Sequence, residues 1–189
     1  MTLGRIALAL PALALVLGLA PDAQAAQFDF DLSDKSVRMN YRFQLTDTGL
    51  QGDAGLLHHK DDGDLAHFGI ILIGDAVDSA EPFTAGLGLR AIVIDANLAG
   101  DGAGVAIGGM ARYVFPDFNR FAIGGDAYIA PSVTSFGNMH RYLEYSLRGE
   151  YRITKAAGIY VGAREVKGDF GTGYASIDDD LYVGITLEF

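Results

Sequence analysis

The chain ends on a segment in which apolar and polar residues alternate without a break. Across residues 180–189, Leu181, Val183, Ile185, Leu187 and Phe189 alternate with Asp180, Tyr182, Gly184, Thr186 and Glu188. Successive side chains of a strand point to opposite faces, so a period of two predicts a strand with one apolar and one polar side. Residues 142–153 repeat the pattern, with Leu143, Tyr145, Leu147, Tyr151 and Ile153 set against Glu144, Ser146, Arg148, Glu150 and Arg152. Residues 37–45, 83–93 and 105–115 do the same, and their polar faces carry Arg38, Arg42, Arg90 and Arg112. These runs match the roughly 9–11 residues of a tilted membrane strand, whereas ordinary strands average near five or six. Weaker alternation over residues 28–32, 53–60, 65–74, 121–130 and 158–167 brings the expected number to about ten antiparallel strands. Eight remain if the first hairpin lies outside the wall. In 65–74 both faces are fairly apolar.

The first 25 residues read differently. Residues 1–5 carry one positive charge, residues 6–20 are apolar apart from Pro11, and Ala23-Gln24-Ala25 is a small-x-small site. This is the layout of a cleaved secretory signal. It predicts removal of residues 1–25 and a single domain over 26–189. An uncleaved anchor would need roughly 20 apolar residues, more than this stretch offers. No later run approaches that length either. A membrane-resident chain of this kind must cross as a closed barrel, because every backbone group facing lipid needs a partner.

The connections fit an up-and-down barrel with both termini in the periplasm. Turn residues stand at 33–35, 61–64, 116–119 and 155–157. The later outside loops, 95–101, 131–141 and 168–179, are longer than the inside turns 116–120 and 154–157. The inside connection 75–82 is longer than that rule expects. Phe28, Phe43, Phe83, Tyr113, Phe115, Phe121, Tyr151 and Phe189 then gather near the periplasmic rim, where barrels carry aromatic girdles. The competing reading is a soluble periplasmic barrel that binds a ligand, with the apolar face turned inward.

Composition narrows the function. A net charge of −10 argues against nucleic acid, whose phosphates require clustered Lys and Arg. With no cysteine there is neither a disulfide nor a thiolate metal site.

The C-terminal Tyr182-x-Gly184-x-x-Leu187-x-Phe189 resembles the signal that the outer-membrane assembly machinery reads on its barrel substrates. More narrowly, the order of landmarks resembles the YfaZ-like family of outer-membrane proteins. These are Asp61-Asp62-Gly63-Asp64, Gly108-Gly109-x-x-Arg112-Tyr113, Tyr128-x-Ala130-Pro131, Arg141-Tyr142-Leu143-Glu144-Tyr145, Ile159-Tyr160-Val161-Gly162 and Asp178-Asp179-Asp180. The resemblance spans nearly the whole region 26–189. It implies an all-β transmembrane barrel among outer-membrane lipids, assembled by that machinery, with no cofactor and no mechanism attached.

The polar face supplies the candidate chemistry. Arg38, Arg42, Arg90, Arg112, Arg148, Arg152 and Arg164 are expected to face the lumen with Asp126, Glu144, Glu150, Asp180 and Glu188. Ringed charges line ion pathways, but a small barrel has little interior beyond its side chains. Buried charges must be paired, so the rough balance of signs favours a sealed polar core over a narrow pore. His58, His59 and His67 with Asp61 and Asp62 are weak candidates for a metal site near the outer end, without tight ligand spacing. His140, Glu144 and Ser146 share one strand face, but at about 3.3 Å per residue the histidine cannot reach the serine. The His-x-Ser-Asn motif of lipid A deacylase barrels is absent. An enzyme is therefore not expected, and a surface adhesin acting through the outer loops remains the other alternative. Oligomeric state is open. The signal reading predicts that mature protein from the envelope begins at Ala26 on N-terminal sequencing, and a retained Met1 would contradict it.

Overall fold

The computed structural model describes residues 26–75, 82–97, 99–171 and 173–189. The signal segment 1–25 and most of the 75–82 connection lie outside the described residues. The strands are β1 (Ala26–Leu32), β2 (Ser36–Gln44), β3 (Leu50–His59), β4 (Gly63–Asp75), β5 (Phe83–Ala96) and β6 (Gly100–Val114), then β7 (Phe121–Ala130), β8 (Ser135–Gly137), β9 (Arg141–Arg152), β10 (Ala157–Asp169), β11 (Tyr174–Asp178) and β12 (Leu181–Glu188). Ten of them form a closed antiparallel ring, ordered β10-β12-β1-β2-β3-β4-β5-β6-β7-β9 and joined again at β9–β10. The first hairpin is part of the wall, because β1 pairs with β2 on one side and β12 on the other. The eight-strand alternative is excluded. The seam closes at the chain end, where the Phe189 and Ala26 backbones exchange hydrogen bonds of 2.8 and 2.9 Å.

The wall is inside out relative to a soluble barrel. Leu87 is 77% exposed and Leu147 59%, and Phe68, Ile70, Val93, Ile107, Val161, Val183 and Ile185 join them on the outer face. Arg38, Arg90, Arg164, Asp31, Asp53 and Glu144 are buried inside. In water that outer face would be a continuous apolar surface far beyond what a soluble monomer shows. The soluble alternative therefore fails on geometry. At the end carrying Ala26 and Phe189, Phe83, Phe115, Phe121 and Phe189 are exposed, with Tyr113 edge-on to Phe115 and Tyr151 against Phe121.

Strand lengths depart from expectation at the other, outer end. β6 starts at Gly100, five positions before the alternating run, and its first residues extend the wall with β8. Gly102 and Gly104 carry no pattern to read, but each makes room for Met139, into which a Cβ at either position would run. The outer connections expected as loops also hold structure: β8 lies within 131–141, and β11 folds back on β10 within 168–179. The 61–64 turn is as expected. Gly63 sits at φ +129, where a Cβ would meet the Asp95 carbonyl, so only glycine fits.

The cysteine-free chain allows single labels at chosen sites. A fluorophore on Leu147→Cys is expected to be quenched by lipid-soluble quenchers and shielded from aqueous ones, and one on Arg148→Cys is not. The reverse pattern would invert the wall.

Candidate functional site, the charged lumen

Period-two alternation delivers charged side chains into the barrel from strands far apart in sequence. Glu144 on β9 is fully buried. Its Oε1 accepts from Arg38 Nη2 on β2 at 2.5 Å, and its Oε2 from Tyr142 Oη at 2.5 Å and Arg90 Nη1 on β5 at 3.4 Å. Arg90 in turn reaches Asp53 on β3, with Nη2 at 2.6 Å and Nε at 2.9 Å, and its guanidinium lies 3.7 Å over the Tyr128 ring. His67 Nε2 lies 3.3 Å from the same aspartate. A second cluster is built on Arg164, which binds Asp31 at 2.8 Å and Asp178 at 2.6 Å, with Ser36 Oγ donating to Asp178 at 3.1 Å. Asp178 comes from β11, so an outer loop contributes a buried counter-ion. A third cluster lies nearer the termini. Arg148 binds Asp29 at 3.1 Å and Glu150 at 2.8 Å, and Arg112 binds Glu150 at 2.7 Å. Ser146 donates to Asp126 at 2.6 Å.

Above these clusters the interior changes character. Leu57, Leu65, Ile92, Ile94, Ala106, Tyr128 and Tyr142 from the wall pack with Met139, Phe170 and Ile177 from the outer connections in one apolar cluster. This plug occupies the β3–β11 side of the outer end of the lumen, and buried Ser36, His59 and Asp178 share that end with it. Below it, among the charges, the free space is a cavity of about 50 Å³, room for a few waters. At the mouth beside the termini it widens to about 280 Å³. The lumen is thus a vestibule open at one end, a charged layer, and an apolar stopper.

Several expected site residues sit elsewhere than in the layer. Arg152 and Glu188 pair at 3.4 Å but are exposed on the rim of the mouth, because they end their strands. Asp180 precedes β12 at the outer end, accepting from Ser33 Oγ at 3.0 Å. Arg42 lines both the inner cavity of the layer and the mouth below it. The metal candidates are not brought together. Alternation turns His58 outward, where it pairs with Asp64 at 2.5 Å, and His59 inward, where it meets Asp62 at 3.0 Å. Asp61 is exposed beside Lys60, and His67 belongs to the Asp53 cluster. Among the described residues no group of three or more His, Asp or Glu could hold a metal ion. Of the C-terminal residues, Tyr182 and Gly184 face inward and Leu187 and Phe189 outward. Gly184 is covered by the Tyr160 ring, which a Cβ would strike.

Asp29, Asp31, Asp53, Asp178 and His67 were not expected in the lumen. Asp29 and Asp31 were readable, since they alternate with Phe28, Phe30 and Leu32. The plug also left a trace: Leu65-Ala66 and 92–94 are apolar on both faces, as residues set between lipid and an apolar interior must be. Asp178 left none.

A lipid-facing wall, a seam closed by Ala26 against Phe189 and a charged interior define an outer-membrane β-barrel of Gram-negative type. The YfaZ family model, described as YfaZ precursor, matches residues 4–189, and the chain belongs to that family. It is 26% identical over 187 residues to the outer membrane protein YfaZ of Escherichia coli (strain K12), covering 96% of this chain and 98% of that one. Solved structures similar to it include a KdgM porin in complex with disordered oligogalacturonate (12% identity, 88% of this chain and 99% of that one, TM-score 0.47). A membrane protein from work on in-meso crystallization is another (9% identity, 87% and 82%, TM-score 0.45).

Removing one partner of a buried ion pair leaves the other charge uncompensated, which costs about 3–5 kcal/mol. Glu144→Gln, facing both Arg38 and Arg90, is expected to lower barrel stability by that amount, measured as the urea midpoint in micelles. Lys35→Gln at the outer turn should leave it unchanged.

Proposed function

We propose that this barrel is a closed structural element of the outer membrane and not an open diffusion pore. The observation that carries this reading is the apolar plug over the ion-paired layer. Ions cannot cross a packed apolar segment without losing their hydration, and most of the charges beside it are engaged with one another. Closure draws on Met139, Phe170, Ile177 and Asp178, all from the outer connections, so those segments act as fixed parts of the lumen.

The same geometry supports a non-enzymatic role. Ser146 is engaged with Asp126, Glu144 with two arginines, and His140 lies exposed beyond their reach. Nucleophile and base therefore do not meet. Recognition of Leu187 and Phe189 by the assembly machinery, and maturation after Ala25, complete the proposal.

In planar bilayers the purified protein is expected to show at most small, rarely open conductance. Large, stable, ohmic steps would overturn the closed reading.

A further inference from the structure

The mouth beside the termini has a charge character of its own. Its cavity of about 280 Å³ is lined by four guanidinium groups, from Arg42, Arg112, Arg148 and Arg152, against two carboxylates, Glu150 and Glu188. Glu150 is shared between Arg112 and Arg148, and Glu188 is held by Arg152. The deeper Asp29 is taken by Arg148 and by Gln27, which donates to it at 2.9 Å. Arg42 is left over. Its Nε is buried, yet it has no hydrogen-bond partner. An unsatisfied donor on a charged group is costly inside a protein, and the half-buried Arg42 side chain to which it belongs lines the water-accessible cavity.

We propose that this vestibule binds a small multivalent anion, a dicarboxylate or a phosphate, with Arg42 as the recognising cation. A guanidinium presents planar paired donors that match carboxylate and phosphate oxygens, and of the four arginines in this cavity Arg42 is the one without an ion pair among the described residues. Gln51, Thr84 and Thr186 line the same space and supply neutral donors. The volume falls just below the range of roughly 300–1,000 Å³ typical of small-molecule sites, so a compact ligand fits and a long chain does not. Above it the space narrows to about 50 Å³ and then to the plug. The ligand enters from the periplasm and leaves the same way. On a chain of net charge −10, this local excess of positive charge concentrates anions where the rest of the molecule repels them. The inference does not depend on whether the outer end conducts.

The test uses the single cysteine variant Gln51→Cys of the full barrel in detergent. Its modification rate is measured with an anionic and a cationic methanethiosulfonate of similar size. The anionic reagent is expected to react about ten-fold faster. Succinate or inorganic phosphate should slow it, and sodium chloride at matched ionic strength should not. Adding Arg42→Gln should abolish that protection, while Arg42→Lys keeps the charge preference and weakens protection. Protection by only one of the two anions supports the site and assigns its headgroup chemistry. Equal rates for the two reagents would overturn the proposal, as would a preference for the anionic reagent without protection by either anion. Both readings come from the Gln51→Cys protein alone, so the outcome stands even if an Arg42 variant fails to fold.

Discussion

Glu144 has no access to water, and a carboxylate in that position must have its oxygens fully engaged or it will not stay charged. Arg38, Arg90 and Tyr142 meet that demand from three directions. Each partner then imposes a demand of its own. Arg90 needs Asp53, and Asp53 brings His67. The chain of obligations ties β2, β3, β4, β5 and β9 together across the lumen. Wall hydrogen bonds alone fix which strands are neighbours. The ion pairs fix how the opposite sides of the ring stand relative to one another, and they leave no room for a continuous water column.

That interior follows from the solvent outside. With lipid against the wall, apolar residues gain nothing by turning inward, so the polar face of every strand is confined to the lumen. The two faces of one strand therefore do different work: Leu147 meets hydrocarbon and Arg148 binds Asp29 and Glu150. The outer end breaks this division. There both faces are apolar, and residues from the connections complete the stopper.

How far the sequence could be read follows the same logic. Where one face meets lipid and the other meets charge, as in 142–153 and 180–189, alternation was strong and the strands, their faces and the lumen arginines could be inferred. Where both faces are apolar, as at Leu65 and Ile92–Ile94, alternation vanished and the plug went unseen, although the loss of contrast was itself the sign. Gly100–Gly104 gave no pattern, because those glycines are defined by what they leave room for. Asp178 could not be placed, since a charge in a long connection carries no period, and its partner Arg164 is fixed only once β11 folds back. The outer-membrane family, the barrel class and the charged lumen were legible. The pairing scheme was not, since it depends on contacts across the ring that no local pattern encodes.

The charges of the layer act as one coupled unit. A double-mutant cycle on Arg38→Met and Glu144→Leu, read as unfolding free energy in micelles, tests this directly. Arg38→Met leaves Glu144 with Arg90 alone and Glu144→Leu leaves Arg38 without its counter-ion, whereas the double change removes both charges of the pair. The double variant is therefore predicted to be less destabilised than the sum of the singles, with a coupling on the order of 2 kcal/mol. Additivity within about 0.5 kcal/mol would mean that the two groups act independently, and would contradict an ion-paired layer sealing the barrel.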